Sequence, residues 1–123
     1  SVAGSSQWFD CGFVTYSNRS KMNMLGVSAQ SLERFGAVSE QVVKEMAQGV
    51  LSSSEASISV ATSGIAGPGG GSDEKPVGTV WFAWAEEGKE TRAEKCVFGG
   101  DRESVRKQAV NYALSGILQN LFD

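Results

Sequence analysis

Two stretches of this chain are apolar along one side only, and that one-sidedness constrains the fold more than any other feature. After Ser39, residues Val42, Val43, Met46, Ala47, Val50 and Leu51 recur at spacings of three and four, the period that gathers them on one helix face. Near the chain's end Val105, Ala109, Tyr112, Ala113, Ile117 and Leu121 make a second such stripe, behind Asp101 as cap. One-sided helices need a surface to cover, and the segments between them supply strands. Residues 56–61 alternate with β-branched Ile58 and Val60, while residues 79–85 and 91–98 read as two strands joined by a hairpin across Glu86-Glu87-Gly88-Lys89. Earlier, Gly12 to Tyr16 reads as a short strand, followed by a Ser17-Asn18 turn and a helix over 19–25 that Gly26 ends. Ser28 is a cap for a further helix carrying Leu32 and Phe35, closed by Gly36. The expected architecture is therefore α/β: a mixed, mostly parallel sheet containing an antiparallel strand and flanked by helices.

At 123 residues, 41% apolar and 20% charged, the chain has the size and composition of one folding domain. A formal net charge of −3 offers no broad basic surface, so nucleic acid is not an expected partner. No apolar run reaches about 18 residues and the first residues lack a signal-peptide pattern, so neither membrane nor export is expected, and the cytoplasm is the expected compartment. Cys11 and Cys96 each sit in an apolar run, which reads as core packing rather than a disulfide framework. There is no histidine, which removes the commonest general base and zinc ligand; the expectation is no metal and no cofactor.

One compositional anomaly stands out. Thr62 to Ser72 holds five glycines in eleven positions, and that content costs backbone entropy on folding. Two readings are open. Side-chain-free backbone can turn N–H groups toward an anion, helped by the Thr62 and Ser63 hydroxyls, or the glycines can simply meet the turn geometry of a long connection. The stretch is not a P-loop, because no Gly-Lys-Ser/Thr follows, and Pro76 and a strand replace the helix that a dinucleotide fingerprint requires.

The stretch from Ser63 to Ala85, SGIAGPGGGSDEKPVGTVWFAWA, closely resembles the signature of the CinA C-terminal family. The likeness extends back through Ala3-Gly4-Ser5-Ser6, Gly12 to Asn18, Lys21, Leu25-Gly26-Val27 and Gly36 to Glu40, and forward through Gly100-Asp101-Arg102. The resemblance implies a three-layer α/β/α domain, usually dimeric, that hydrolyses the carboxamide of nicotinamide mononucleotide to the acid and ammonia. It implies Ser6 as nucleophile, Tyr16 as assisting residue and Lys21 as the lysine of the site, with Arg102 a functional arginine. Substrate contacts are expected from Thr62, Ser63, Gly64, Gly67, Gly69, Gly70 and Arg102. Family members also carry, before the region corresponding to Ser1, a strand and helix with a Glu-Ser-Cys-Thr-Gly-Gly motif that helps to form the pocket. That motif does not occur in these 123 residues, and an open apolar sheet edge is the expected consequence.

Amide hydrolysis needs a nucleophile, a base that takes its proton and hands it to the leaving amine, and donors for the oxyanion. Without histidine, a serine–lysine pair is the available solution. Lysine serves as base only when burial or a nearby cation lowers its pKa, and Met22 and Met24 beside Lys21 point to partial burial. On residue type alone, Ser6 reads as a cap or loop serine, Lys21 as a solvated lysine, Tyr16 as strand core and Arg102 as a partner for Asp73 or Glu74. Two other functions remain open: a nucleotide-binding or dimerising module that has lost its chemistry, and a structural partner-binding domain.

Overall fold

Three serines start the first three helices, each by accepting a backbone N–H from the residue three positions on. In the computed structural model, which describes residues 3–122, helix α1 spans Asn18–Leu25, α2 Ala29–Phe35 and α3 Glu40–Ser52. Ser17, Ser28 and Ser39 cap them, accepting from Ser20, Ser31 and Val42 at 3.0, 3.0 and 3.4 Å. Gly26 ends α1 in the left-handed conformation, as its position in the sequence predicts. Strands β1 (Ile58–Gly64), β2 (Thr79–Glu86) and β3 (Arg92–Val97) follow, and α4 (Arg102–Phe122) closes the order. Asp101 caps α4, its Oδ1 accepting from Ser104 N at 2.9 Å. The side chains of Ser6, Asn120, Leu121 and Phe122 lie outside the described residues.

The sheet runs β1-β2-β3 and both pairings are antiparallel, with Val60 opposite Trp84 and Ala83 opposite Ala93. The antiparallel component of the expected sheet is thus present, and among the described residues neither pairing is parallel. The connections explain it: β1 reaches β2 through a loop with no crossover helix, and β2 turns into β3 across Glu86 to Lys89, where Lys89 N donates to Glu86 O at 3.1 Å.

Side chains alternate across β2, so its two faces bury different sets. Ala83 and Ala85, with Ala61 of β1, pack against Leu25 of α1, Leu32 of α2 and Val42, Val43, Met46 and Ala47 of α3. Val80, Phe82 and Trp84 pack on the opposite side against Val105 and Ala113 of α4. Both apolar stripes thus face the sheet, from opposite sides. Trp81 and Trp84 take opposite faces as their spacing predicts, and the Trp84 indole donates to Ala113 O at 3.0 Å. Cys96 is half-buried against the α4 side; Cys11 is exposed, which corrects its reading as a core residue.

The small size of Gly49 brings α1 close to α3. A Cβ there would lie 1.9 Å from the Leu25 carbonyl oxygen at the end of α1. The segment from Gly12 to Tyr16, expected as a strand, has no regular secondary structure. Its period of two survives, with Phe13 and Thr15 half-buried while Val14 and Tyr16 are exposed, but among the described residues no strand pairs with it. Propensity without a ladder partner does not make a strand.

Candidate active site

Lys21 is the buried cation among the described residues. It lies on the side of α1 that also carries Leu25, and it is 7% exposed. Its Nζ donates to the Thr15 carbonyl oxygen at 2.7 Å. Burial lowers the lysine pKa below its ordinary value of 10.5. Lys21 is thus not the solvated lysine that residue type alone suggests, and partial burial beside Met22 is what the structure contains.

A cleft of about 680 Å³ opens beside it. The irregular segment from Phe9 to Tyr16 forms one wall, and Ser59 to Gly64 of β1 form the other. Of the residues expected in the site, the cleft brings together Tyr16, Lys21, Thr62, Ser63 and Gly64. Tyr16 stands at the rim, 93% exposed, so it is not a strand core residue. It does not bridge to Lys21, whose ammonium is engaged by Thr15 instead. Ser6 has its backbone in a short 3-10 turn, Ser5–Gln7, just ahead of the cleft wall. Its side chain lies outside the described residues.

The strand is longer than the sequence reading has it, and so Thr62, Ser63 and Gly64 belong to β1 rather than to the loop, opposite Phe82, Trp81 and Val80. Gly64 is required there by contact: a Cβ would fall 2.7 Å from Val80 Cγ2 and 2.9 Å from Thr79 O. The loop proper, residues 65–78, is closed at its base by Ile65 N donating to Thr79 O and Gly78 N to Ile65 O, at 2.9 and 2.7 Å. Gly67, Gly69 and Gly70 lie on this loop and do not line the cleft. Gly67 has φ +80 and packs on Val77, a turn requirement of the second reading above. Gly69 and Gly70 are exposed, and neither their N–H groups nor that of Gly71 finds an acceptor among the described residues.

Arg102, the first residue of α4, is also outside the cleft. Its Nη1 donates to Gly67 O at 3.1 Å, and it forms no ion pair with Asp73 or Glu74 among the described residues. The helix dipole disfavours a cation at this end of α4, and the carbonyl of the loop is what engages it. Among the described residues no group of three or more Cys, Asp or Glu could hold a metal ion.

Sequence reasoning misses two features of the cleft. Thr15 acts through its carbonyl, which no side-chain pattern signals, and Cys11, exposed on the irregular segment, lines the cleft. Chemically, the cleft joins a buried lysine of lowered pKa with the Thr62 and Ser63 hydroxyls at the end of β1, next to a loop whose glycine N–H groups find no acceptor among the described residues.

Three comparisons bear on this arrangement. The family model for the CinA C-terminal domain matches residues 1–121. A nicotinamide-nucleotide amidohydrolase PncC of Enterobacter agglomerans is 58% identical over 118 residues, covering 96% of this chain and 72% of that protein; its namesake from Escherichia coli K12 is 55% identical over the same shares. A CinA-like protein of Akkermansia muciniphila is 56% identical over 117 residues, which are 95% of this chain but 28% of that protein. Among solved structures, the competence/damage inducible protein CihA of Agrobacterium tumefaciens superposes with a TM-score of 0.93 at 44% identity, covering 96% of this chain and 72% of that one.

Proposed function

Since the chain belongs to the CinA C-terminal domain family, we propose that it is an amidohydrolase that converts nicotinamide mononucleotide to nicotinate mononucleotide and ammonia. One observation carries the reading: a buried lysine of lowered pKa lies at a cleft wall in a chain more than half identical to nicotinamide-nucleotide amidohydrolases. In this reading the Ser6 hydroxyl attacks the carboxamide carbon and neutral Lys21 takes its proton. Lys21 then returns the proton to nitrogen as the C–N bond breaks and ammonia leaves. Water, deprotonated by the same lysine, cleaves the acyl-serine ester and releases the acid. The Thr15 carbonyl accepts from one Lys21 N–H, which anchors the amine and leaves its other two positions, one of them the lone pair when it is neutral, for the reacting groups. Tyr16 covers the bound ring from the rim, and Thr62, Ser63 and Gly64 line its seat.

The nucleotide phosphate reaches the loop, where Gly69 and Gly70 donate backbone N–H groups; Arg102 supports that surface through Gly67. No metal or cofactor takes part. Residues 1–123 act as one domain of three-layer α/β/α type in a homodimer, in the cytoplasm, without nucleic-acid or membrane partners. No helix among the described residues is long and apolar enough to cross a membrane. The test is direct. The full-length natural product, incubated with nicotinamide mononucleotide, should release one ammonia for each nicotinate mononucleotide formed, and the absence of both products would overturn the proposal.

A further inference from the structure

We propose that Lys75 is a positioning residue that pins the glycine loop to the end of α2, so that the exposed arc Pro68 to Gly71 is held ready before substrate arrives. The inference rests on the amidohydrolase reading above for what the arc binds. Its geometry is independent of that reading.

Lys75 Nζ donates to the carbonyl oxygen of Phe35 at 2.7 Å, joining the loop to a residue 40 positions away. Phe35 is the last residue of α2, where carbonyls lack intrahelical partners and a cation is favoured. The following residue leaves room for the ammonium. Gly36 has φ +77, and a Cβ there would sit 3.2 Å from Lys75 Nζ. Lys75 is also fixed at its own backbone. Ser72 N donates to Lys75 O at 2.9 Å and Lys75 N to Ser72 Oγ at 3.1 Å, so the turn Ser72 to Lys75 moves as a unit with the pinned side chain.

The loop has a second pin on its other flank, where Arg102 holds Gly67 O. Between Gly67 and the pinned turn Ser72 to Lys75 lie only Pro68, Gly69, Gly70 and Gly71, all exposed, and the N–H groups of the three glycines find no acceptor among the described residues. Such a glycine-rich arc loses much conformational entropy when it closes on an anion unless something has already restricted it. Two cationic pins from opposite sides, neither touching the arc's own N–H groups, restrict it without using up the donors. Asp73 and Glu74, the acidic neighbours of Lys75, are exposed within the pinned turn.

The test compares wild type with Lys75→Met, which keeps an unbranched stem and removes the donor, and with Lys75→Arg, which restores one. Amide order parameters of Gly69 to Gly71 in the ligand-free protein should be near the rigid value of about 0.85 in wild type and fall below about 0.6 in Lys75→Met, with β2 amides unchanged. The KM for nicotinamide mononucleotide should rise roughly fivefold while kcat stays within about twofold, as expected when a binding contact common to ground and transition states is weakened. Lys75→Arg should return both readings most of the way to wild type. Order parameters that are low in wild type, or unchanged in Lys75→Met, overturn the pinning. A mobile arc with unchanged KM overturns its service to substrate, and a raised KM with a rigid arc shows that Lys75 acts by another route. If wild type does not turn over the nucleotide, the amidohydrolase reading fails, and the order parameters alone decide the pinning.

Discussion

Replacing Gly49 by alanine sets two physical effects of opposite sign against each other. In a helix interior the change should stabilise by about 1 kcal/mol, because glycine carries the larger entropy loss. The added methyl, however, would stand 1.9 Å from Leu25 O, 2.7 Å from Leu25 C and 3.0 Å from Leu25 Cα. These are backbone atoms, so no rotamer change relieves the overlap. An ordinary nonbonded contact is about 3.5 Å, so α1 must retreat by roughly 1.5 Å from α3. Overpacking of this kind costs typically 1–3 kcal/mol, and with backbone on both sides the upper end applies, about 3 kcal/mol. The net expectation is a loss of about 2 kcal/mol, which for a domain of this size is a fall in Tm of roughly 8 °C. Because α1 carries Lys21, catalysis should suffer too, through kcat more than KM. Thermal melts followed by far-ultraviolet circular dichroism, with urea midpoints at unchanged slope, read the stability. An alanine variant as stable as wild type, or more stable, would show that helix propensity wins and that the α1–α3 contact is loose.

Three further outcomes follow from the site. Lys21 must be neutral to accept a proton and burial lowers its pKa from 10.5, so kcat/KM should rise with pH and level off below that value; a rate that falls with pH across this range would exclude Lys21 as base. The same depressed pKa leaves the unfolded chain binding more protons than the folded one between the lowered pKa and 10.5, so stability should also rise with pH in that window. Gly70→Val, at φ +82 on the arc, should raise KM for the phosphorylated substrate far more than for the corresponding nucleoside, whereas equal effects on both would remove phosphate from the loop's role.

Local signals in the sequence are legible where chemistry within a few residues decides the outcome. Ser28, Ser39 and Asp101 each open a helix as the sequence reading has it, because a short polar side chain reaches a backbone N–H within one turn, whereas Ser17, read as part of a turn, caps α1 in the same way. The stripes of α3 and α4 face the sheet because burial of one face leaves no alternative. Strand direction was less legible, since it depends on whether a connection contains a helix, and the loop 65–78 does not. Gly12 to Tyr16 has strand composition, but a strand is a property of two chains of backbone and its partner cannot be read from its own residues. At the site, resemblance located Lys21 and Tyr16, whereas the burial of one and the exposure of the other came only from packing. The partners of Arg102 and Lys75 lie beyond sequence reasoning for the same cause: each side chain acts on a carbonyl oxygen 35 or 40 residues away.

The central claim is that Ser6 and Lys21 form one catalytic unit in amide hydrolysis. Ammonia release from nicotinamide mononucleotide by wild type, Ser6→Ala, Lys21→Ala and the double variant, each made in the full-length natural product, tests it most directly. If the serine attacks and the lysine takes its proton, either single replacement removes nearly all of the same transition-state stabilisation, and the double variant should be little worse than either alone. Both single variants should still bind the substrate, because neither side chain is assigned to the phosphate. Substantial turnover by Ser6→Ala, or losses that multiply in the double variant, would contradict the account.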